Sequence, residues 1–234
     1  MAKRNRYNKN DPGPNPDPER YILVHTKEGS YYRLKRGLNK PALLNAAYQQ
    51  SADSTKICSP AASRMAAALR KDLRGLDTGR MTVHFAGLLK KALHKNGKLD
   101  FSFFADYDFQ ADHPLDNLLR VPYRCQEKDG NIELQIRLIP DAVKKHSRLV
   151  SEYYFDLVLL YGDPTKDDGL KVETDTSPNY SYALRKEKTC KLSITLPGRD
   201  QPWMVMLKVS SMEGNELALH PRHYGMKVVK LGHY

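Results

Sequence analysis

Residues 118–139 read LLRVPYRCQEKDGNIELQIRLI and predict a β-hairpin. Two β-prone runs, 118–126 and 132–139, lie on either side of the segment Lys128-Asp-Gly-Asn131. An Asp-Gly pair between such runs is typical of the tight turns that join neighbouring antiparallel strands. The sequence around this turn therefore indicates an antiparallel sheet.

Short β-prone runs separated by turn signals continue through the rest of residues 99–234. The segments 99–103 and 107–109 alternate apolar and polar side chains, as one face of a sheet does. The later runs are 153–161, a short piece near Tyr180, 190–196, 203–210 and 226–231, with loops at 163–169 and 197–202. About seven or eight strands at nearly regular spacing predict an antiparallel β-sandwich.

The residues before the sandwich predict an N-terminal β-hairpin followed by helices. Two β-prone runs within 21–36 flank the glycine-containing turn 27–30. A short first helix is expected over 43–50, with Asn39 as a candidate cap.

A second and a third helix should form a basic helical hairpin. Ser59 is a suitable N-cap, Pro60 fits the first helical position and Gly75 fits the position just past the end. The third helix should run from about 77 to 94, and Asn96-Gly97 ends it. Apolar side chains recur on one stripe of each helix, at Met65, Leu69 and Leu73 and at Met81, Phe85, Leu88, Leu89, Ala92 and Leu93.

All of the excess positive charge lies between Arg33 and Lys98. This stretch holds fourteen Lys/Arg and three Asp, a difference equal to the net charge of +11 of the whole chain. At 100° per residue, the basic side chains of the helices fall outside the apolar stripes. Seven of them make up the basic face, which is our candidate binding site: Arg64, Arg70, Lys71, Arg74, Arg80, Lys91 and Lys95.

The chain thus has an α+β fold class and three predicted segments. Residues 1–19 alternate proline with small polar residues near their end and predict an extended tail. Residues 20–98 hold the hairpin and the basic helices, and residues 99–234 hold the β-sandwich domain.

Composition limits the class of protein and its location. The chain has no run of 18 apolar residues, so it predicts no transmembrane helix and no membrane partner. The basic N-terminus leads into Pro and Asp, which does not resemble a secretory signal. The three cysteines, Cys58, Cys125 and Cys190, form no CxxC pair and favour a reducing compartment. We expect a cytoplasmic protein.

No residue pattern indicates catalysis. Glycine-flanked nucleophiles and phosphate-binding glycine motifs are absent from the sequence. The segment His220-Pro-Arg-His223 has metal-like spacing but no third ligand, so a surface turn is the simpler interpretation. A hydrolase or sugar-binding site would need a concave cluster, for which the candidates are Asp106, Tyr107, Asp108 and His113. We therefore predict no enzyme, with no catalytic residue, no metal and no cofactor.

The order of the parts resembles a group of Bacteroidota proteins that have no established activity. The residues that carry the resemblance are Asn45-Ala-Ala-Tyr48, 54–64, Leu69-Arg-Lys71, Thr78-Gly-Arg-Met-Thr82 and Met226-Lys-Val-Val229. The group is built as a hairpin, helices and an immunoglobulin-like sandwich, and the resemblance covers most of 20–232. It implies the architecture and the organism class, and it implies no ligand.

These observations predict a non-enzymatic binding or assembly protein. It would self-associate as a homo-oligomer, or dock onto a protein partner, through the basic face and the edges of the sandwich. The alternative is a nucleic-acid-binding protein that contacts phosphates with its basic helices.

Overall fold

The computed structural model describes residues 17–19, 21–26, 29–34, 46–198 and 201–232. These residues form helices and antiparallel strands, which confirms the α+β fold class. The chain divides into two units, Met1–Ser51 and Ala52–Tyr234. Apart from residues 17–19, the predicted tail lies outside the described residues.

Three α-helices and eleven strands occur in the described ranges. The helices are α1 (Ala46–Ala68), α2 (Met81–Asn96) and α3 (Leu115–Leu118), and 3-10 turns occur at Ser102–Phe104 and Pro221–His223. The strands are β1 (Tyr21–Thr26), β2 (Gly29–Leu34), β3 (Tyr123–Lys128), β4 (Asn131–Leu138), β5 (Glu152–Gly162), β6 (Leu170–Thr176), β7 (Tyr180–Ser181), β8 (Lys188–Thr195), β9 (Trp203–Glu213), β10 (Glu216–Leu217) and β11 (Tyr224–Gly232).

The N-terminal hairpin is present as predicted. Strands β1 and β2 pair antiparallel, from Tyr21 opposite Leu34 to Thr26 opposite Gly29. The His25 ring nitrogen Nδ1 and the Ser30 hydroxyl form a hydrogen bond of 2.6 Å across the pair.

Helix α1 continues without interruption through the residues predicted to start a second helix. Ser59 and Pro60 lie in its middle, so the predicted N-cap at Ser59 is wrong. Pro60 has no N–H to donate to the carbonyl one turn earlier. However, the apolar stripe Cys58, Ala61 and Met65 continues past Pro60 and is fully buried. Packing of this stripe therefore keeps the helix continuous where the local Ser-Pro signal favours a start.

Of the two predicted helix ends, the first is wrong and the second is confirmed. Helix α1 ends at Ala68, and hydrogen-bonded turns carry the chain on to Gly75, so the end predicted at Gly75 comes too late. Helix α2 ends as predicted at Gly97, which adopts a left-handed φ of 71° and donates its N–H to the carbonyl of Leu93. The members of the α2 stripe that are fully buried are Met81, Phe85, Leu89 and Ala92.

Residues 99–109 form compact turns, so the strand predicted at 99–103 is wrong. The carboxylate of Asp100 accepts the N–H of Ser102 at 3.0 Å and starts a 3-10 turn. Within 107–109, only an isolated antiparallel bridge forms, with Asp108 opposite Lys227. The aromatic rings of this segment pack edge-on against Phe85 of α2. Burial of these rings therefore outweighs the alternating pattern.

The hairpin predicted within 118–139 is present between β3 and β4. Lys128 pairs with Asn131, and between them Asp129 and Gly130 have φ values of 50° and 75°. Two consecutive positive φ values are the feature that favours an Asp-Gly turn. The strand begins later than predicted, because 118–122 contain the end of α3 and a connection.

A six-stranded and a three-stranded sheet form the predicted antiparallel β-sandwich. In the larger sheet β11, β9, β5 and β6 lie side by side, while β10 pairs with β9 and β7 pairs with β5. The smaller sheet has the order β3-β4-β8. Strand β6 was not predicted, because most of its side chains are exposed and its sequence has no strong apolar pattern.

Both faces of the six-stranded sheet are covered by other layers. One face packs against the three-stranded sheet through Phe155, Leu157, Val205, Leu207, Ile132, Leu134 and Ile136. The opposite face packs against α1 and α2 through Val158, Leu160, Met204, Met206, Met226, Val228, Met65, Phe85 and Leu89. Strands β5 and β9 are therefore buried on both sides. The segment boundary predicted between 98 and 99 separates helical from β-rich sequence. The apolar cluster between the sheet and the two helices contains residues from both sides of this boundary.

Neighbouring segments cover parts of the sandwich edges. Residues 107–109 form backbone hydrogen bonds with the outer side of β11. At the opposite edge, the N–H of Ser193 on β8 donates to the Asp175 carboxylate on β6 at 2.8 Å. Lys230 of β11 lies 3.9 Å from Glu127 of β3. The contacts between β8 and β6 and between β11 and β3 therefore connect the two sheets at their two opposite edges.

Candidate functional site

The structure separates the basic face into one paired residue and six exposed ones. Arg64 places Nη2 and Nε at 2.5 and 2.8 Å from Oδ1 of Asp167, in the loop between β5 and β6. Arg64 therefore connects α1 to the sheet. The other six are exposed and form no ion pair with any residue in the described ranges: Arg70, Lys71, Arg74, Arg80, Lys91 and Lys95.

Four basic side chains lie in a row along one flank of α2. Arg80 is at the N-cap, and His84, Lys91 and Lys95 follow within an arc of about 60° around the helix axis. All four are exposed. The Nζ atom of Lys95 is 5.5 Å from the ring centroid of Phe103. The row spans about 22 Å at 1.5 Å per residue.

The remaining members of the basic face, Arg70, Lys71 and Arg74, belong to the turns that follow α1. The hydroxyl of Thr174 on β6 donates to the carboxylate of Asp72 at 3.0 Å, between these basic residues in the sequence. The three side chains therefore extend from a stretch of backbone that is held against the sheet.

A cleft of about 790 Å³ lies beside the N-terminal end of α2. Its walls come from three separate segments, 77–84, 107–113 and 220–221. The titratable side chains that line it include Asp77, Arg80, His84, Tyr107, His113 and His220. Arg80 therefore belongs both to the basic face and to this cleft.

Gln110 holds the three walls of the cleft together. Its side chain is buried, and Oε1 accepts the N–H of Asp77 at 3.0 Å. Its Nε2 donates to the carbonyl oxygens of Tyr224 at 2.9 Å and Pro221 at 3.3 Å. One amide thus satisfies backbone groups on two walls while its own backbone belongs to the third, which fixes the geometry of the cleft.

Four histidines form a chain of neighbouring rings that starts at the wall of the cleft. The ring centroids are 6.4 Å apart for His113 and His220, 6.3 Å for His220 and His223, and 6.1 Å for His223 and His146. His223 is 2% exposed, and burial together with the Arg222 charge lowers its pKa to about 4. Burial also lowers the pKa of His146. Both rings are therefore uncharged at neutral pH.

The candidate cluster of aromatics and carboxylates is brought together in part. Tyr107, Asp108 and His113 line the cleft, whereas the carboxylate of Asp106 lies 3.8 Å from Nζ of Lys227. Asp108 accepts the first N–H of α3 at 2.9 Å, and burial raises its pKa. This carboxylate therefore has a structural contact that helps to start α3.

The segment His220-Pro-Arg-His223 forms a 3-10 turn, in which Nδ1 of His220 accepts the N–H of Arg222 at 3.2 Å. Over the described residues, no group of three or more His, Cys, Asp or Glu side chains is placed to hold a metal ion. His220 faces the cleft, and His223 is buried.

Two buried charged residues were missed by the sequence patterns. Lys208 on β9 and Asp156 on β5 are 3% and 8% exposed and lie on the helix-facing side of the sheet. Burial lowers the pKa of Lys208 and raises that of Asp156, and each charge partly opposes the shift of the other. The available signal was a lysine at an inward position of the apolar run 203–210.

Comparison with protein-family models, with curated proteins and with solved structures finds no match for this chain. The resemblance to a Bacteroidota group therefore stays a prediction. Among the helices of the described ranges, none has the length and apolar character that crossing a membrane requires.

Proposed function

We propose that this chain is a non-enzymatic binding protein that docks onto an acidic protein partner through its basic face. The observation that carries the proposal is the concentration of charge, because residues 33–98 hold fourteen Lys/Arg and three Asp whereas the charges of the rest of the chain balance. Six of its seven members are exposed without an ion-pair partner in the described ranges. Unpaired positive charge along α2 and in the turns after α1 favours a partner of opposite charge.

The chemistry of the remaining side chains supports a binding role over catalysis. Burial raises the pKa of all three thiols, Cys58, Cys125 and Cys190, and a thiol with a raised pKa is a poor nucleophile. All three are free. Free thiols also support a reducing compartment such as the cytoplasm.

A binding experiment with a defined acidic probe tests the proposal. We expect a fluorescein-labelled oligoglutamate peptide to bind at low salt, as measured by fluorescence anisotropy. Changing Lys91→Gln and Lys95→Gln together should weaken binding about tenfold, because two unpaired charges of the row are lost.

The matched control changes two exposed lysines outside the basic face, Lys171→Gln on β6 and Lys191→Gln on β8. It removes the same net charge and should leave the affinity nearly unchanged. Equal losses in the two double variants would show that the peptide responds to net charge and not to the basic face.

Nucleic acid is the second candidate partner. The observation that favours it is the row Arg80, His84, Lys91 and Lys95, which is long enough to follow several phosphates and has Phe103 beside its end. The test is a salt titration with an oligonucleotide of the same length as the peptide. The logarithm of the association constant should fall with the logarithm of the salt concentration, and this dependence should be shallower by about 2 in the Lys91→Gln, Lys95→Gln variant. If the affinity for the oligonucleotide is no higher than the affinity for oligoglutamate, nucleic acid is excluded as the partner.

Self-association through the sandwich edges has less support than docking through the basic face. Residues 107–109 and the contact between β6 and β8 already occupy parts of these edges. Light scattering distinguishes the two arrangements, because a dimer formed through the edges would persist in the Lys91→Gln, Lys95→Gln variant.

A further inference from the structure

The cluster of histidines around the 3-10 turn Pro221–His223 lies in a strongly positive environment. The charged and titratable groups that act on the His146 ring are Lys144, Arg222, His113 and Arg120. Those that act on the His223 ring are Arg222, His146, His220 and His113. No carboxylate is among them, so the main charge effects on both rings come from Lys, Arg and His side chains.

Two buried polar atoms in the same turn have no hydrogen-bond partner in the described residues. They are Nε of Arg222 and Nδ1 of His223, both shielded from solvent. The guanidinium is always charged and Nε can act only as a donor. Leaving such a donor buried and unpaired is costly, so a missing acceptor is the expected cause.

We infer that the Arg222 guanidinium and the rings of His146 and His223 bind a tetrahedral oxyanion, either free or as the terminal group of a phosphate or sulfate ester. An oxyanion supplies several acceptor oxygens and negative charge to a site that has an unpartnered Arg222 donor, an unpartnered His223 ring nitrogen and the positive charge of the guanidinium. The neighbouring His113 and His220 line the cleft, so the chain of rings extends from the buried His223 to the cleft.

The binding should take up protons. An oxyanion favours the charged imidazolium form, so it raises the pKa of the rings that it contacts. A rise of one unit in the pKa of one ring corresponds to about a tenfold gain in affinity once that ring is protonated. Affinity should therefore increase as the pH falls below neutral.

Sulfate is the suitable probe, because its own charge does not change over the range in which histidine titrates. The experiment follows the histidine ring resonances of the full chain by NMR in a pH titration with sodium sulfate, against sodium chloride at the same ionic strength. We expect sulfate to shift the resonances of His146 and His223 and to raise the pKa of both rings. Phenyl phosphate, added in a parallel titration, tests whether the site also accepts an esterified anion.

The informative variant is His146→Gln, since His146 is only half-buried and its replacement keeps a polar side chain. It should weaken sulfate binding about tenfold at mildly acidic pH, through the loss of a charge-assisted hydrogen bond. The control is Arg185→Gln, an exposed arginine in the connection between β7 and β8. Unchanged His146 and His223 resonances in sulfate, or equal weakening by both variants, would overturn the inference.

This outcome is independent of the proposed function. The Lys91→Gln, Lys95→Gln variant should bind sulfate at the histidine cluster as the unmodified chain does, because neither lysine is among the groups that act on these rings.

Discussion

Lys208 on β9 lies directly opposite Asp156 on β5, and both side chains are enclosed between the six-stranded sheet and the layer that covers it. The hydroxyl of Thr176 donates to the Asp156 carboxylate at 2.7 Å. Asp156 is the main acid that opposes the effect of burial on Lys208. The two residues therefore depend on each other in the folded state.

Removing one member of this pair should cost much more than replacing both. Asp156→Ala should lower the free energy of unfolding by about 1–3 kcal/mol, since it removes the main acid near a buried ammonium group and leaves the Thr176 hydroxyl without its acceptor. The double change Asp156→Leu with Lys208→Met should cost much less, because no charge then stays buried. Urea denaturation of both variants measures the difference, and a double variant as unstable as Asp156→Ala would refute the coupling.

Stability should fall as the pH drops from about 6.5 to about 4, in a chloride buffer without sulfate or phosphate. His223 has an ordinary pKa of 6.5 when unfolded and a pKa of about 4 in the folded state. Between these values the unfolded chain binds a proton that the folded chain does not, so each pH unit costs up to about 1.4 kcal/mol. Below the folded pKa the loss from this group stops growing. Urea midpoints across this range should decline less in His223→Gln.

Gly75 should not tolerate a side chain. A Cβ at this position would overlap the ring of Tyr224, and φ is +85°. Gly75→Ala should therefore destabilise the protein by about 1–3 kcal/mol or more. Gly87→Ala, at an exposed position of helix α2 where a Cβ meets no atom within 4 Å, is the matched control. It should stabilise by up to about 1 kcal/mol, and thermal denaturation of both variants checks the opposite signs.

Pro60 distinguishes one continuous helix from two. In the middle of α1 the proline lacks a backbone donor, so Pro60→Ala should raise the free energy of unfolding by about 1–3 kcal/mol. At the first position of a separate helix the same change would give little or no gain, since proline suits that position. Denaturant unfolding of this variant therefore decides between the two arrangements.

The features that the sequence predicted well depend on a few neighbouring residues. The Asp129-Gly130 turn and the end of α2 at Gly97 are determined by local backbone preferences that two or three residues reveal. The Ser59-Pro60 signal is equally local, but burial of residues distant in sequence outweighs it. Local patterns therefore predict an element best where no long-range packing opposes them.

The candidate sites were predictable to different degrees for the same reason. The exposed row on α2 follows from helix periodicity alone, so Arg80, Lys91 and Lys95 could be assigned to one flank. The partner of Arg64, Asp167, comes from a distant loop and could not be found in this way. The same holds for the cleft, in which 107–113 and 220–221 meet. The spacing of His220 and His223 is recognisable in the sequence, whereas their contacts with the rings of His113 and His146 are not.

The two-sided burial of β5 and β9 has a consequence for biosynthesis. The apolar stripes of α1 and α2 are complete once residue 96 has left the ribosome, whereas Met226 and Val228, which join the same cluster, come near the end of the chain. At normal elongation rates, roughly 10 s pass between these events. During this interval the helices expose their apolar stripes to solvent, and we expect their dense positive charge to limit aggregation of the nascent chain.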